Sequence, residues 1–272
     1  MAAAHSTIAS MAGVVEVQKM GAPKGSHLIV AVACGGGRFI NPLDKVSSPV
    51  LSMELRGYGG SKVASEGELT ARDAELGPFQ LSNYMADFDS VIKSTKSKRA
   101  VLFGYSHSGF FTTAYALAKP ANVEALILME PALFNDREEL LHRAKLAEDG
   151  QNEASLEAML RYVQPSIGMD ADAAKKTAGI IMTNVNDKRT LARELLVRAE
   201  NPIEPKDVSK LEMPVLLIGG TRSHVSHVVT TLARLLPYAS LSWVHGAQHV
   251  DLVTPKFAKQ IQAAVNSFLV SI

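Results

Sequence analysis

Short runs of Val, Ile and Leu alternate with stretches of helical periodicity along most of the chain. The runs that predict strands are residues 27–34, 49–54, 100–104, 124–130, 214–219 and 240–244. The stretches that predict helices are residues 81–94, 107–117, 225–236 and 256–269. Continuous apolar runs are typical of strands that are buried on both faces. Their alternation with helices therefore predicts an α/β fold, with a mostly parallel sheet covered by helices on both faces.

The alternation stops between residues 134 and 205, where no strand pattern is found. This segment is charged and helical in pattern, and Pro202 and Pro205 mark its end. A crossover between neighbouring strands needs far fewer residues. We therefore predict that residues 134–205 form a helical cap, inserted into a core made of residues 1–133 and 206–272.

The composition of the chain limits which classes of molecule it is expected to bind and in which cellular compartment it is expected to lie. Hydrophobic residues make up 47% of the 272 residues, which is enough for a large core and argues against disorder. The formal net charge of +1 gives no reason to expect nucleic acid or an anionic membrane as a partner. A single cysteine, Cys34, excludes an internal disulfide and suits the reducing cytoplasm. Oligomeric state is left open, with a homodimer as one possibility.

Two further sequence patterns bear on targeting. No apolar run approaches the length that a membrane-spanning helix needs. Residues 1–13 lack the basic start and the apolar centre of a signal peptide, and we expect them to form a loose tail.

The chain contains no complete sequence motif for binding a nucleotide or a metal. Residues 57–62 lack the order of a phosphate-binding loop, and the glycines at 35–37 lack the spacing of a dinucleotide fingerprint. The C-terminal part contains four histidines, His224, His227, His245 and His249. No carboxylate lies among them, and their spacing matches no common zinc site. We therefore predict no cofactor and no metal, and a small molecule as partner.

The strand at 100–104 leads directly into Tyr105-Ser106-His107-Ser108-Gly109 and then into a helical pattern. This is the layout of a nucleophile elbow, a sharp strand-to-helix turn that presents a serine hydroxyl at the sheet edge. Small residues flank Ser106 because such a turn leaves little room. The usual pattern has glycine where this chain has Ser108. A serine here can instead cap the following helix, but the context favours a nucleophile.

A serine nucleophile needs a base, and His249 is the best candidate. It follows the last predicted strand and precedes the last helix. The carboxyl ends of parallel strands lie at one edge of a sheet, so this loop reaches the same edge as the elbow. His245 is closer to the strand, and we interpret it as structural.

The acid of the triad is not where it normally lies, since no Asp or Glu occurs between Met213 and Val250. A carboxylate is still expected, because it orients the imidazole and stabilises its charged form. Glu130 ends the strand after the elbow helix, and Pro131 stops that strand. We predict Glu130 as the acid. Asp251 is too local to orient His249, and Ser223 could supply a weak hydrogen bond in a degenerate triad.

An oxyanion hole needs two backbone N–H groups that point at the developing charge. One is expected from His107, the residue after the nucleophile. The other is expected from the glycines after the first long strand, where Gly36 is the first choice and Gly35 the second. Glycine lets a backbone approach a substrate closely, although such a run can also be only a flexible turn. Together these residues predict a serine hydrolase.

These motifs resemble the α/β-hydrolase superfamily along nearly the whole chain. Residues 54–61, ELRGYGGS, are similar to its D-x-R-G-x-G-x-S turn, with Glu54 in place of Asp. Residues 104–109 resemble the elbow and residues 246–249 the loop of the catalytic histidine. Cys34-Gly35 takes the place of a frequent His-Gly pair.

Within the superfamily, the G-x-S-x-S-G elbow and a glutamate after the sixth strand resemble the fungal zearalenone lactonases. Some haloalkane dehalogenases also place an acid there, but their nucleophile is an aspartate. The resemblance implies hydrolysis of a lactone or other carboxylic ester by a Ser-His-Glu triad under a helical cap. Some members of the superfamily are instead small-ligand receptors or lyases, and both alternatives stay open here.

Overall fold

The computed structural model describes residues 5–10, 13–22, 24–33, 42–64, 77–95, 97–165 and 170–272. Within them the strands are β1 (His5–Ser10), β2 (Gly13–Gly21), β3 (Ile29–Ala33), β4 (Pro49–Glu54), β5 (Lys62–Val63), β6 (Ala100–Tyr105), β7 (Val123–Met129), β8 (Val215–Gly220) and β9 (Ala239–Val244). The helices are α1 (Leu81–Ser94), α2 (His107–Ala118), α3 (Arg137–Glu148), α4 (Asn152–Val163), α5 (Ala171–Met182), α6 (Thr190–Glu200), the one-turn α7 (Pro205–Val208), α8 (Ser226–Leu235) and α9 (Ala258–Ser271).

The strands form one mixed sheet in the order β1-β2-β4-β3-β6-β7-β8-β9, with β5 paired to β2. From β4 to β9 all neighbouring strands are parallel. The strands β3, β6 and β8 are buried along their whole length, as continuous Val, Ile and Leu runs require. The predicted α/β fold with a mostly parallel sheet is confirmed.

Alternate residues of the central strands contribute to two separate cores. Val30, Leu102 and Leu128 belong to a core that also contains side chains of α1, α2 and α8. Phe103 and Ile127 point to the other face, where they pack with side chains of α9. Helices therefore cover both faces of the sheet, and the carboxyl ends of its strands are left at one edge to carry a site.

The segment between β7 and β8 contains α3 to α6, and its described residues form no strand of the sheet. Asp136 and Asp170 begin two of these helices by accepting hydrogen bonds from the N–H groups of Glu138 and Ala173. The segment is attached to the sheet by the turn after β4, because the Gly59 N–H donates to the Asn184 carbonyl at 2.8 Å. A single β-bridge joins Tyr58 to Val185 nearby.

The loose tail predicted for residues 1–13 is wrong for residues 5–10. These residues form β1, which pairs antiparallel with β2 from His5 opposite Gln18 to Ser10 opposite Gly13. The strand is largely exposed, so its position depends on backbone hydrogen bonds that leave no apolar pattern in the sequence. The first predicted strand, 27–34, begins two residues later at Ile29, and Cys34 lies outside the described residues.

The turn after β4 is held by a buried arginine. Arg56 is 2% exposed, and its Nε and Nη2 donate to the Asp87 carboxylate on α1 at 3.0 and 2.8 Å. Its guanidinium also donates to the Pro78 and Asn83 carbonyls. Burial raises the pKa of Asp87, although Arg56 opposes that shift. Ser10 donates to the same carboxylate at 2.5 Å, which ties β1 to α1.

Among the described residues, none of the helices combines the length and apolar composition that crossing a bilayer requires.

Arg56→Met is expected to destabilise the fold in a pH-dependent way. It leaves the Asp87 charge buried without its cation, which costs about 3–5 kcal/mol. Because the folded-state pKa of Asp87 is raised, protonation favours the folded state, so the loss is larger at pH 8 than at pH 5. Urea denaturation at both pH values measures this difference, and Arg56→Met/Asp87→Asn serves as the control that removes it. An equal loss at both pH values would contradict the role given to the Asp87 charge.

Candidate active site

Ser106 lies in the turn between β6 and α2 with φ 48° and ψ −119°, a conformation that residues other than glycine rarely adopt. Its carbonyl accepts hydrogen bonds from the N–H groups of Gly109 at 3.0 Å and Ala132 at 2.7 Å. Its own N–H donates to the Met129 carbonyl at 3.1 Å. The backbone is therefore held in a strained turn at the carboxyl edge of the sheet, as an elbow requires.

The positions around Ser106 need small residues for different steric reasons. A Cβ atom on Gly104 would lie 2.7 Å from the Gly109 Cα, and one on Gly109 would lie 2.5 Å from the Pro131 Cβ. Ser108 is tolerated where glycine is usual, since its hydroxyl folds back to donate to the Tyr105 carbonyl at 3.0 Å. The same hydroxyl accepts from the Tyr105 N–H at 3.0 Å. The glycine that the turn needs is Gly109, one position later than in the usual pattern.

The structure brings His249 to Ser106, with 3.0 Å between its Nε2 and the serine Oγ. His249 follows β9, is 3% exposed and stacks on the Tyr105 ring with 5.1 Å between centroids. The Tyr105 hydroxyl also donates to the His249 carbonyl at 2.9 Å. These contacts fix both the ring and the backbone of His249, so its Nε2 stays directed at the serine hydroxyl.

Glu130 completes this row of contacts, with 2.7 Å between its Oε2 and the His249 Nδ1. A carboxylate at this distance accepts a hydrogen bond from the Nδ1–H, so the Nε2 lone pair faces the hydroxyl of Ser106 and can accept its hydrogen bond. Glu130 follows β7 with a φ of 41° and is 1% exposed. Its Oε1 accepts the Gly220 N–H and its Oε2 the Ser223 hydroxyl, each at 2.8 Å. Donors from β8 and the following loop therefore hold the carboxylate in place.

The other predicted site residues have different positions. Ser223, predicted to supply a weak hydrogen bond in a degenerate triad, donates to Glu130 at 2.8 Å. Asp251 accepts the Gln248 N–H at 2.9 Å and so braces its own turn. His107 is the first residue of α2, directly after Ser106. Gly35 and Gly36, the predicted second oxyanion donors, lie outside the described residues.

A cavity of about 290 Å³ extends from Ser106 and His249 into the segment between β7 and β8. Side chains of α3 to α6 line it and are mostly apolar, among them Leu156, Met159, Leu160, Ile180, Ile181 and Leu191. Its charged lining residues have partners within the protein. Arg143 forms an ion pair with Glu139 at 3.1 Å, Glu130 binds His249, and Glu194 and Arg198 bind His107. The cavity therefore offers a mostly apolar lining next to a serine–histidine pair.

Sequence reasoning missed two charged residues that reach the elbow. Glu194 and Arg198 on α6 bind the two ring nitrogens of His107 at 2.9 and 3.0 Å. Their spacing of four residues is typical of charge pairs on exposed helices, so the sequence carries no sign that both are buried. Burial lowers the pKa of His107, although the Glu194 carboxylate opposes that shift.

Comparisons with known proteins agree with this architecture. Residues 21–252 match a family model described as the alpha/beta hydrolase fold. The structure is similar to a thermophilic esterase from Thermogutta terrifontis, solved with malate bound, at a TM-score of 0.76 and 18% identity over 98% of each chain. It is also similar to the enol-lactonase from Burkholderia xenovorans LB400, at a TM-score of 0.75 and 18% identity over 97% of this chain and 100% of that one.

A hydrolase from Pseudomonas aeruginosa has a TM-score of 0.74 and 20% identity over 99% of each chain. No curated protein sequence matches this chain. At such identities the similarity concerns the fold, and the resemblance to zearalenone lactonases stays a prediction.

Gly109→Ala is expected to destabilise the fold by about 1–3 kcal/mol, because its new methyl group would overlap Pro131. Gly179→Ala is the matched control, since a Cβ atom on this glycine of α5 would meet nothing within 4 Å. In a helix interior the control change is expected to stabilise by up to about 1 kcal/mol. Thermal or urea unfolding of both variants measures the contrast. A Gly109→Ala variant as stable as wild type would contradict the steric account of the elbow.

Proposed function

The chain belongs to the α/β-hydrolase fold family, and on that basis we propose that it is a serine hydrolase that cleaves a carboxylic ester or lactone. The observation that carries this proposal is the continuous row of hydrogen bonds from the Ser106 hydroxyl through His249 to Glu130. A serine hydroxyl is a weak nucleophile without a base, and this row supplies both a base and a carboxylate that orients it.

The proposed reaction proceeds through an acyl-enzyme. Ser106 Oγ attacks the substrate carbonyl while His249 Nε2 takes the serine proton, and Glu130 stabilises the imidazolium that forms. The negative oxygen of the tetrahedral intermediate accepts the His107 backbone N–H and a second one, for which Gly36 stays the first choice and Gly35 the second. The intermediate collapses as His249 returns the proton to the leaving oxygen. Water, with its proton taken by His249, then attacks the acyl carbonyl. The bond between this carbon and Ser106 Oγ breaks as His249 returns that proton to Oγ, which releases the carboxylic acid product and restores the serine.

Glu130 serves in this proposal as the acid of the triad. Three observations support this role. Glu130 contacts the imidazole, it is buried, and its carboxylate accepts hydrogen bonds from the Gly220 N–H and the Ser223 hydroxyl. A charged carboxylate in such a setting is stabilised by the N–H and O–H groups that point at it. The carboxylate thereby holds His249 in the tautomer that accepts the serine proton.

We further propose that residues 134–205 act as a cap and that the substrate is uncharged. The cap is supported by the side chains of α3 to α6 that line the cavity beside Ser106. The residues that line the cavity support an uncharged substrate. Among the described residues that border it, each charged side chain already has a hydrogen-bond or ion-pair partner. A free carboxylate on a substrate would lose its hydration there without gaining a cation. The lactonase resemblance and a cytoplasmic location remain part of this proposal.

Ser106→Ala is expected to abolish hydrolysis of a panel of uncharged aryl esters and lactones, while its unfolding curve stays that of a folded protein. A serine-directed phosphonate is expected to label wild type at Ser106, as mapped by mass spectrometry. Ser209→Ala, at an exposed serine away from the cavity, is the matched control and keeps its activity and label. Labelling at another residue, or hydrolysis by the Ser106→Ala variant, would overturn the proposal.

The same panel separates the alternatives in this family. A stable acyl adduct after a single turnover would identify a receptor, and a product that takes no oxygen from labelled water would identify a lyase. Esters that carry a carboxylate are expected to be poorer substrates than uncharged esters of the same length.

Glu130→Gln is expected to lower kcat by about 10⁴-fold, because the amide no longer holds the imidazole in the correct tautomer. Asp251→Asn is the control, since Asp251 binds the Gln248 N–H and not the imidazole. That variant is expected to stay within about threefold of wild type, because asparagine keeps an oxygen that accepts this N–H. Steady-state kinetics on one aryl ester measures both. Near-full activity of Glu130→Gln would show that another group orients His249.

A further inference from the structure

Both ring nitrogens of the His107 side chain contact side chains of one helix of the cap, α6. Glu194 and Arg198 lie four residues apart on α6, so both project from the same face of that helix. The Glu194 Oε2 lies 2.9 Å from the His107 Nε2, and the Arg198 Nη1 lies 3.0 Å from the Nδ1. We call these three residues the His107 clamp.

The chemistry of the clamp fixes the protonation of its imidazole. A guanidinium can only donate, so the His107 Nδ1 accepts from Arg198, and the proton is on Nε2, which donates to Glu194. Burial lowers the pKa of His107, which favours this neutral form. Both ring nitrogens are therefore used within the protein, and neither is available to bind a substrate.

The two outer members of the clamp are themselves held. Glu194 is 1% exposed, and its Oε2 also accepts the Tyr58 hydroxyl at 2.8 Å. The clamp is thus anchored to the turn after β4.

Arg198 reaches the other side of the nucleophile. Its Nη2 donates to the Asn135 side chain and, at 3.4 Å, to the Ala132 carbonyl. The Ala132 N–H in turn donates to the Ser106 carbonyl at 2.7 Å. One cap helix therefore contacts the residue after the nucleophile and, through Ala132, the nucleophile itself.

The His107 N–H belongs to the same planar peptide as the Ser106 carbonyl, so the hydrogen bonds from Gly109 and Ala132 to that carbonyl restrain it from one side. The clamp adds a restraint from the other side, through the His107 side chain. The first N–H groups of a helix have no intrahelical partner, so this N–H is available to a ligand. An oxyanion donor acts only when it lies about 2.7–3.1 Å from the place where the charge develops. A displacement of about 1 Å can cost on the order of 100-fold in rate.

We propose that Glu194 and Arg198 are positioning residues, which hold the His107 peptide N–H toward the oxyanion through the His107 side chain. This inference rests on the proposed serine-hydrolase function. It makes the cap a part of the catalytic geometry as well as a wall of the cavity.

The test compares Glu194→Ala with Glu194→Gln. The Ala variant removes the acceptor of the His107 Nε2 proton, and we expect kcat per active site to fall by at least about tenfold with little change in KM, since the lost contact acts in the transition state. The Gln variant keeps an acceptor oxygen and is expected to retain at least about a third of the wild-type kcat, because the hydrogen bond is kept. Active sites are counted by titration with the phosphonate, so that partly unfolded protein does not contribute.

A boronic acid supplies a readout that a purely structural role would not change. It forms a tetrahedral adduct with the serine, and its charged oxygen occupies the oxyanion position. Its inhibition constant is expected to rise by the same factor as kcat/KM falls, as for a transition-state analogue. Glu200→Ala, at the exposed end of the same helix, is the matched control and leaves both values unchanged.

A second pair of variants keeps the test valid if Glu194→Ala does not fold. His107→Ala removes the inner member of the clamp but keeps the backbone N–H, and we expect it to lose the same factor in kcat. The double variant His107→Ala/Glu194→Ala is expected to be no slower than His107→Ala alone, because both changes break one pathway. Additive losses would overturn the inference.

Two further outcomes would also overturn it. One is a Glu194→Ala variant, or failing that a His107→Ala variant, within twofold of the wild-type kcat per titrated site. The other is a Glu194→Gln variant as slow as Glu194→Ala, because the effect would then follow the charge and not the hydrogen bond. Failure of the proposed function is distinguished from these results by wild type itself, which would then show no phosphonate label at Ser106.

Discussion

The hydrogen bond between Glu130 and His249 spans the ends of three strands, and the rest of the site is arranged around it. In the sheet, β8 lies between β7, which Glu130 follows, and β9, which His249 follows. Neighbouring strands are about 4.8 Å apart, so Glu130 and His249 follow strands about 10 Å apart. Gly220 and Ser223, from β8 and its loop, donate hydrogen bonds to the Glu130 carboxylate.

This arrangement explains why the region after β8 lacks a carboxylate. A second acid there would lie beside Glu130, and two buried carboxylates at one site cannot both be ionised without a large cost. Gly220 also packs against the loop of His249, because a Cβ atom on it would lie 2.4 Å from the Ala247 carbonyl oxygen. The end of β8 is thus shaped to receive a side chain from β7.

Much of the fold could be predicted from the sequence, because its central strands and helices carry strong apolar patterns. The bounds of β4 and α1 were predicted as the structure has them. The pairing of β1 could not be predicted, since an exposed strand that is held by backbone hydrogen bonds leaves no periodicity.

In the candidate site, too, some residues could be predicted from the sequence and others could not. Ser106 and Glu130 directly follow strands and His249 lies in the loop after β9, so parallel topology alone brings them to one edge. Glu194 and Arg198 lie within a helix, and their contacts with His107 depend on how the segment between β7 and β8 packs. A pattern of charges four residues apart is the same for an exposed and for a buried pair, so only tertiary structure reveals it.

The helices between β7 and β8 differ in what they contact, and this bears on how such a protein can diversify. Among these helices, α4 and α5 contribute most of the apolar side chains that border the cavity, whereas the contacts with His107 come from α6. Exchange of bulky for small groups on α4 and α5 can therefore reshape the cavity with little disturbance of Ser106 and His249. That part of the lining is open to sequence change, while α6 stays constrained by the side chain that it holds.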